Sequence, residues 1–142
     1  MMTAMERIES RGRSRALQVL YAWDLRRGEA LDGVAARIWD DLAVPPDERA
    51  FADALLHIVA TEGPDIDADL GDITTNWRLD RLGVIERCAL RLGAAELRAR
   101  QTPPRVVIQE CVRLAERFGS ATAARFVNGV LDALARRLGT LR

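Results

Sequence analysis

The chain contains no lysine: all 21 of its basic residues are arginine. Mutational bias toward GC-rich codons, which the many alanines also suggest, explains this better than a choice of arginine for its geometry. Histidine occurs once and cysteine twice. His57 shares a periodic segment with Phe51 and Leu55 and reads as a satisfied or half-exposed helical residue rather than a catalytic one. Cys88 and Cys111 form no CxxC pair and read as small buried thiols of a cytosolic protein. No apolar run approaches the ~18 residues of a membrane span. The start, MMTAMERIESRGRSR, has no apolar core of a secretory signal. GxGxxG, GxxxxGK(S/T) and HExxH are all missing. No serine or cysteine has an evident general base. These absences argue against an enzyme and call for no cofactor. Asp65, Asp67 and Asp69 in DIDADLGD resemble the start of a calcium loop, but Gly71 comes one place late and Asn76 stands where a bidentate Glu is needed. No metal is expected, and the acids read as a first helical turn beside Pro64 that complements the helix dipole.

What is present is charge, unevenly spread. The formal net charge is zero. Residues 1–27 carry six Arg and three acids, residues 28–80 three Arg and thirteen acids, and residues 81–142 twelve Arg and five acids. Two basic ends around an acidic middle hint at an anionic partner. With 142 residues, 49% of them hydrophobic, the chain can build one domain with a proper core, or two small subdomains sharing one.

The apolar spacing is helical throughout. Ala16, Leu20 and Trp23 mark a first helix stopping near Gly28. Leu31, Val34, Ile38 and Leu42 mark a second, halted by Pro45-Pro46. Phe51, Leu55, Ile58 and Val59 mark a third ending at Gly63, and Pro64 opens a fourth that runs out near Asn76. Asp80 is the expected N-cap of a fifth, holding Leu82, Ile85, Ala89, Leu92 and Leu97. Thr102-Pro103-Pro104 opens a sixth, ended by Gly119, and Ser120 caps a seventh, ended by Gly139. The short connections predict antiparallel, bundled neighbours. An all-α fold of about seven helices follows.

Within the last helix stands RFVNGVLD. Asn-Gly is a strong hairpin signal, but strands of two or three residues around Asn128-Gly129 are too short to stand alone. The helical spacing wins, at a cost of roughly 1 kcal/mol for Gly129 relative to Ala. Close approach of a neighbouring helix at Gly129, with Asn128 bonding a free backbone group there, is the expected compensation.

ESRGRSRALQVLYAWD places Arg11, Arg13 and Arg15 at the start of the first helix. In a helix Arg11, Arg15 and Gln18 share a face, with Tyr21 three residues on. Guanidinium groups suit phosphates and an aromatic ring can stack a base. Basic residues at a helix start oppose the dipole and need another reason to be there. Ser10 and Gly12 suggest an arm that is flexible until it binds. The plainer alternative is a solvated basic helix start.

RSRALQVLYAWD, NWRLDRLGVIERCALRLGAAEL and PPRVVIQECVRLAERFG followed by RFVNGVLD, in that order and spacing, resemble the NusB family of bacterial transcription antitermination factors. The resemblance implies two small helical bundles packed as one RNA-binding unit over residues 1–142, with subdomains near 10–63 and 64–139. It implies binding to the boxA element of nascent ribosomal RNA, together with NusE, the small-subunit ribosomal protein that doubles as a Nus factor, within the RNA polymerase antitermination complex. No membrane partner is implied, and a homodimer is as open as a monomer. The RNA-facing positions it implies are Arg11, Arg13, Arg15, Gln18, Tyr21, Phe118, Thr122, Arg125 and Phe126. Glu86 and Arg87 fall on the segment that meets NusE. Thr122 departs from members with an acid there, and Gln109 from the usual Asn. The competing readings are a helical module that binds only proteins, and RNA modification, since similar domains are fused to rRNA methyltransferases. The helices use nearly all of the chain and leave no length for a catalytic domain.

Overall fold

The computed structural model describes residues 1–26, 28–75 and 78–142. Among them are six α-helices and no strand: α1 (Ala4–Leu25), α2 (Leu31–Leu42), α3 (Pro46–Ile73), α4 (Val84–Ala99), α5 (Pro104–Phe118) and α6 (Ala121–Arg137). A single 3-10 turn, Leu79–Arg81, precedes α4. Asn76 and Trp77, the expected end of the fourth helix and the first two residues of the middle motif, lie outside the described residues.

The helix count differs from the expected seven because α3 does not stop at Gly63. It runs 28 residues with Pro64 inside, so the boundary expected between 63 and 64 falls within one helix. Proline lacks the N–H that would bond the Ala60 carbonyl. Both Pro64 and Ala60 are exposed, so water can serve the orphaned carbonyl and the apolar stripe continues through Ile66 and Leu70. Asp65, Asp67 and Asp69 therefore lie mid-helix and are not a first turn. The start of α4 is also later than expected. Gly83, not Asp80, is its N-cap, and the Glu86 carboxylate accepts the Gly83 N–H at 3.0 Å. Ser120 does cap α6: its Oγ accepts the Ala123 N–H at 3.0 Å.

Helix α4 organises the core. Nine of its residues are buried, from Cys88 to Leu97, and it touches α1, α3, α5 and α6. Its remaining residues, Val84 to Arg87, Arg91, Arg98 and Ala99, keep partial exposure. Gly93 makes this packing feasible, since an added Cβ would lie 2.6 Å from Leu131 Cδ1 and 3.2 Å from Cys111 Sγ. Gly12 serves the same purpose between α1 and α3, where a Cβ would meet Phe51 Cδ1 at 2.7 Å and the Glu48 carbonyl oxygen at 3.1 Å. Cys88 and Cys111 are buried and free. Burial pushes both thiols up, that of Cys88 to about 12, so neither is a nucleophile near neutral pH.

Asn128 and Gly129 lie inside α6, as the spacing required, but on its exposed side. Among the described residues nothing stands within 4 Å of a Cβ built on Gly129, so the expected close helix contact is absent there. The apolar face of α6 is Ala123, Val127, Val130, Leu131 and Leu134, and Gly129 falls off that stripe. Gly129→Ala is therefore expected to stabilise the fold by about 0.5–1 kcal/mol through helix propensity alone. A denaturant melt reads this directly; a loss of stability would show that Gly129 has a partner in the folded chain.

Candidate nucleic-acid interface

Thr3 and Glu6 close a capping box at the start of α1, whose first turn begins at Ala4. Arg11, Arg13 and Arg15 are thus mid-helix. The dipole argument and the flexible arm expected around Ser10 and Gly12 both fall away. The three arginines also part company. Arg11 and Arg15 lie outward, with side chains 65% and 33% exposed, whereas Arg13 is 2% exposed.

Arg13 points into the core. Its Nε and Nη2 donate to Glu96 at 2.7 and 2.6 Å, and Nη1 donates to Glu110 at 3.2 Å. Its guanidinium also lies 5.1 Å from the centre of the Phe51 ring. Burial works against its charge, but the hydrogen bond and the charge of Glu96 outweigh it and hold the Arg13 pKa above its ordinary value. The expected phosphate contact at Arg13 is corrected accordingly: this side chain pins α1 to α4 and α5. A second tie runs from Arg113 Nη2 to the Ser10 hydroxyl at 2.8 Å.

On the outer side, Arg15 Nη1 donates to Gln18 Oε1 at 3.1 Å, and Tyr21 is 41% exposed one turn further on. The Glu48 carboxylate, on the first turn of α3, lies 3.7 Å from Arg15 Nε and 4.0 Å from Arg11 Nη1. The face predicted for Arg11, Arg15 and Gln18 is present.

The second group sits at the α5–α6 corner. The N–H groups of Gly119 and Ser120 both donate to the Ala115 carbonyl, at 2.9 and 3.1 Å. A Cβ on Gly119 would stand 2.7 Å from that same oxygen, so the corner requires glycine. It leaves Phe118 45% exposed, with Thr122 and Arg125 exposed on the start of α6. Phe126 is half-buried and packs on the core. Arg117, which the sequence reading passed over, has its guanidinium 5.0 Å from the centre of the Phe118 ring. Gln109 is exposed on α5. Among the described residues no hydrogen bond or ion pair joins this corner to Arg11, Arg15 and Gln18.

Glu86 and Arg87 have intramolecular duties. Glu86 closes the start of α4, as above. Arg87 makes a two-pronged bond to Asp24 at 2.7 and 2.6 Å and donates to the Leu79 and Leu82 carbonyls. The hydrogen bond from Arg87 holds the Asp24 carboxyl below its usual range, against the effect of burial. Arg91 adds a bond to Asp24 at 3.2 Å and a pair to Asp67 at 3.0 and 3.1 Å. Asp69 faces Arg98 and Arg137. The DIDAD carboxylates 67 and 69 thus meet arginines. In the groove above Asp24, Arg87 and Arg91 are both matched to carboxylates.

The NusB family model matches residues 10–136. The chain is 42% identical to the transcription antitermination protein NusB of Sorangium cellulosum over 131 residues, covering 92% of this chain and 93% of that one. It is 38% identical to the protein of the same name from Anaeromyxobacter dehalogenans, with 94% of each chain covered. Its fold is similar to that of a crystal structure of the antitermination factors NusB and NusE in complex with double-stranded RNA, with a TM-score of 0.83 at 33% identity over 92% of this chain and 98% of that one. The solution structure of NusB from Aquifex aeolicus is similar too, with a TM-score of 0.81 at 32% identity over 96% and 94% of the two chains. On these matches, which run through α1 to α6, the chain belongs to the NusB family.

Proposed function

We propose that this chain is a non-catalytic adaptor of transcription antitermination. It binds boxA-type single-stranded RNA of nascent ribosomal transcripts together with NusE and delivers that complex to RNA polymerase. The curated relatives carry the antitermination name, and one solved structure similar to it holds NusE and RNA. The observation that carries the reading is the outer face of α1. Arg11 and Arg15 keep unspent donors there beside Gln18 and an exposed tyrosine. Phe118, with Arg117 against its ring, and Thr122 and Arg125 form a second contact region. On the NusE side, Arg87 is spent within the chain and Glu86 gives one carboxylate oxygen to the Gly83 N–H, which leaves its other oxygen as the group of that pair able to meet a partner.

Salt dependence tests the RNA contact. Each phosphate neutralised on single-stranded RNA contributes a slope of roughly −0.7 in log K against log salt. Replacing Arg11 and Arg15 together with alanine should flatten the slope by about 1.4, since Arg13 no longer counts. The loss should be nearly equal for boxA-type and scrambled RNA, because phosphate contacts position rather than specify. Fluorescence anisotropy across a salt series provides the measurement, with circular dichroism confirming intact helix. Parallel slopes for the two proteins would assign this face to solvent and leave a module that binds only proteins.

A further inference from the structure

We propose that Glu48 is a positioning residue of the RNA-binding face: a buried carboxylate that aligns Arg11 and Arg15 and weakens their hold on phosphate. The proposal rests on the reading that these two arginines contact RNA.

The geometry begins at Gly12. Without a side chain there, the first turn of α3 lies against α1, with Phe51 and the Glu48 backbone filling the space a Cβ would take. Arg11 precedes that contact by one residue and Arg15 follows it by three, so both flank it on one side of α1. The Glu48 carboxylate stands between them. Its side chain is 8% exposed, an environment in which a carboxylate is rarely found without a cation. Among the described residues, the cations within 4.0 Å of it are Arg11 and Arg15. The N-terminal turn of α3 favours a negative charge at the same place.

The distances decide what this carboxylate does. At 4.0 and 3.7 Å neither contact is a hydrogen bond. Glu48 orients the two guanidinium groups by charge but takes none of their donors, and each guanidinium has five. RNA phosphate therefore finds the arginines aligned and their N–H groups available, yet must compete with a carboxylate already beside them. Two positive charges and one negative act toward RNA as about one.

Four proteins test this: wild type, Glu48→Gln, Arg11→Ala/Arg15→Ala, and the triple variant. Each is titrated with labelled single-stranded boxA-type RNA and with its scrambled counterpart between 0.05 and 1 M salt. Removing the charge should steepen the salt slope by up to about 0.7, which over that range tightens binding by roughly eightfold at the low-salt end. The gain should be the same for both RNAs and should vanish in the triple variant. If circular dichroism shows that the Gln variant does not fold, Glu48→Asp takes its place. That change withdraws the charge by one methylene and should tighten binding in the same direction, by less. Binding by the folded variant equal to or weaker than wild type overturns the role of Glu48 while the arginine reading stands. Should the double arginine variant bind RNA as wild type does, both readings fall together.

Discussion

Arg13→Ala is expected to cost about 3–5 kcal/mol of folding stability, the usual penalty for breaking a buried ion pair from one side. Total stabilities of small domains are about 5–15 kcal/mol, so this is about a fifth or more of what holds the chain. The Glu96 side chain is 2% exposed, and without Arg13 its two oxygens lose both hydrogen-bond donors. Glu110 loses less, because Arg113 still bonds it at 2.9 Å. Urea unfolding followed by circular dichroism gives the number. Replacing the pair together, as Arg13→Met with Glu96→Leu, should recover most of the loss, because no charge is then stranded. A single variant as stable as wild type would mean that the pair contributes nothing, and would restore Arg13 as a candidate for RNA.

Gly93→Val should have the next largest effect, near the upper end of the ~1–3 kcal/mol typical of overpacking. Even the bare Cβ would come within 2.6 Å of one Leu131 methyl and 2.9 Å of the other. A leucine end can often rotate aside, but Leu131 is fully buried and Cys111 Sγ closes the other side at 3.2 Å. Valine adds two further methyls to that space. The same melt on Gly93→Val with Leu131→Ala should show partial rescue, because the smaller side chain vacates the contested volume. No rescue would locate the strain in the backbone of α4 rather than at Leu131.

The helical class, five of the connections and the caps at Ser120 and Gly119 were legible from spacing and turn chemistry. What escaped was long-range. Arg11, Arg13 and Arg15 are chemically identical in the sequence, and the partners that separate Arg13 from the others lie 83 and 97 residues away. Glu48 carried no local sign of its place, since the arginines beside it among the described residues lie on another helix. Pro64 read as a helix start because the sequence does not say that the Ala60 carbonyl faces water. The packing glycines were partly legible. Gly12 is in register with Ala16, Val19 and Trp23, and Gly93 with Ala89 and Leu97, so periodicity places both on packed faces. Gly129 is the more conspicuous glycine in the sequence because of its turn-forming neighbour, yet it packs on nothing within 4 Å among the described residues. At the candidate interface, Arg11, Arg15, Gln18 and Tyr21 were visible as a face, but Arg117 was not, because its position depends on the ring beside it.

The enclosure of α4 by four other helices bears on how the molecule breathes. The amide protons of its buried turns, Leu92 to Leu97, are covered by the neighbouring helices and open only as those helices part. Their exchange with deuterium must therefore wait for disruption of the whole core, and its rate reports the global free energy. The exposed first turn of α1, by contrast, exchanges by fraying and reports only itself.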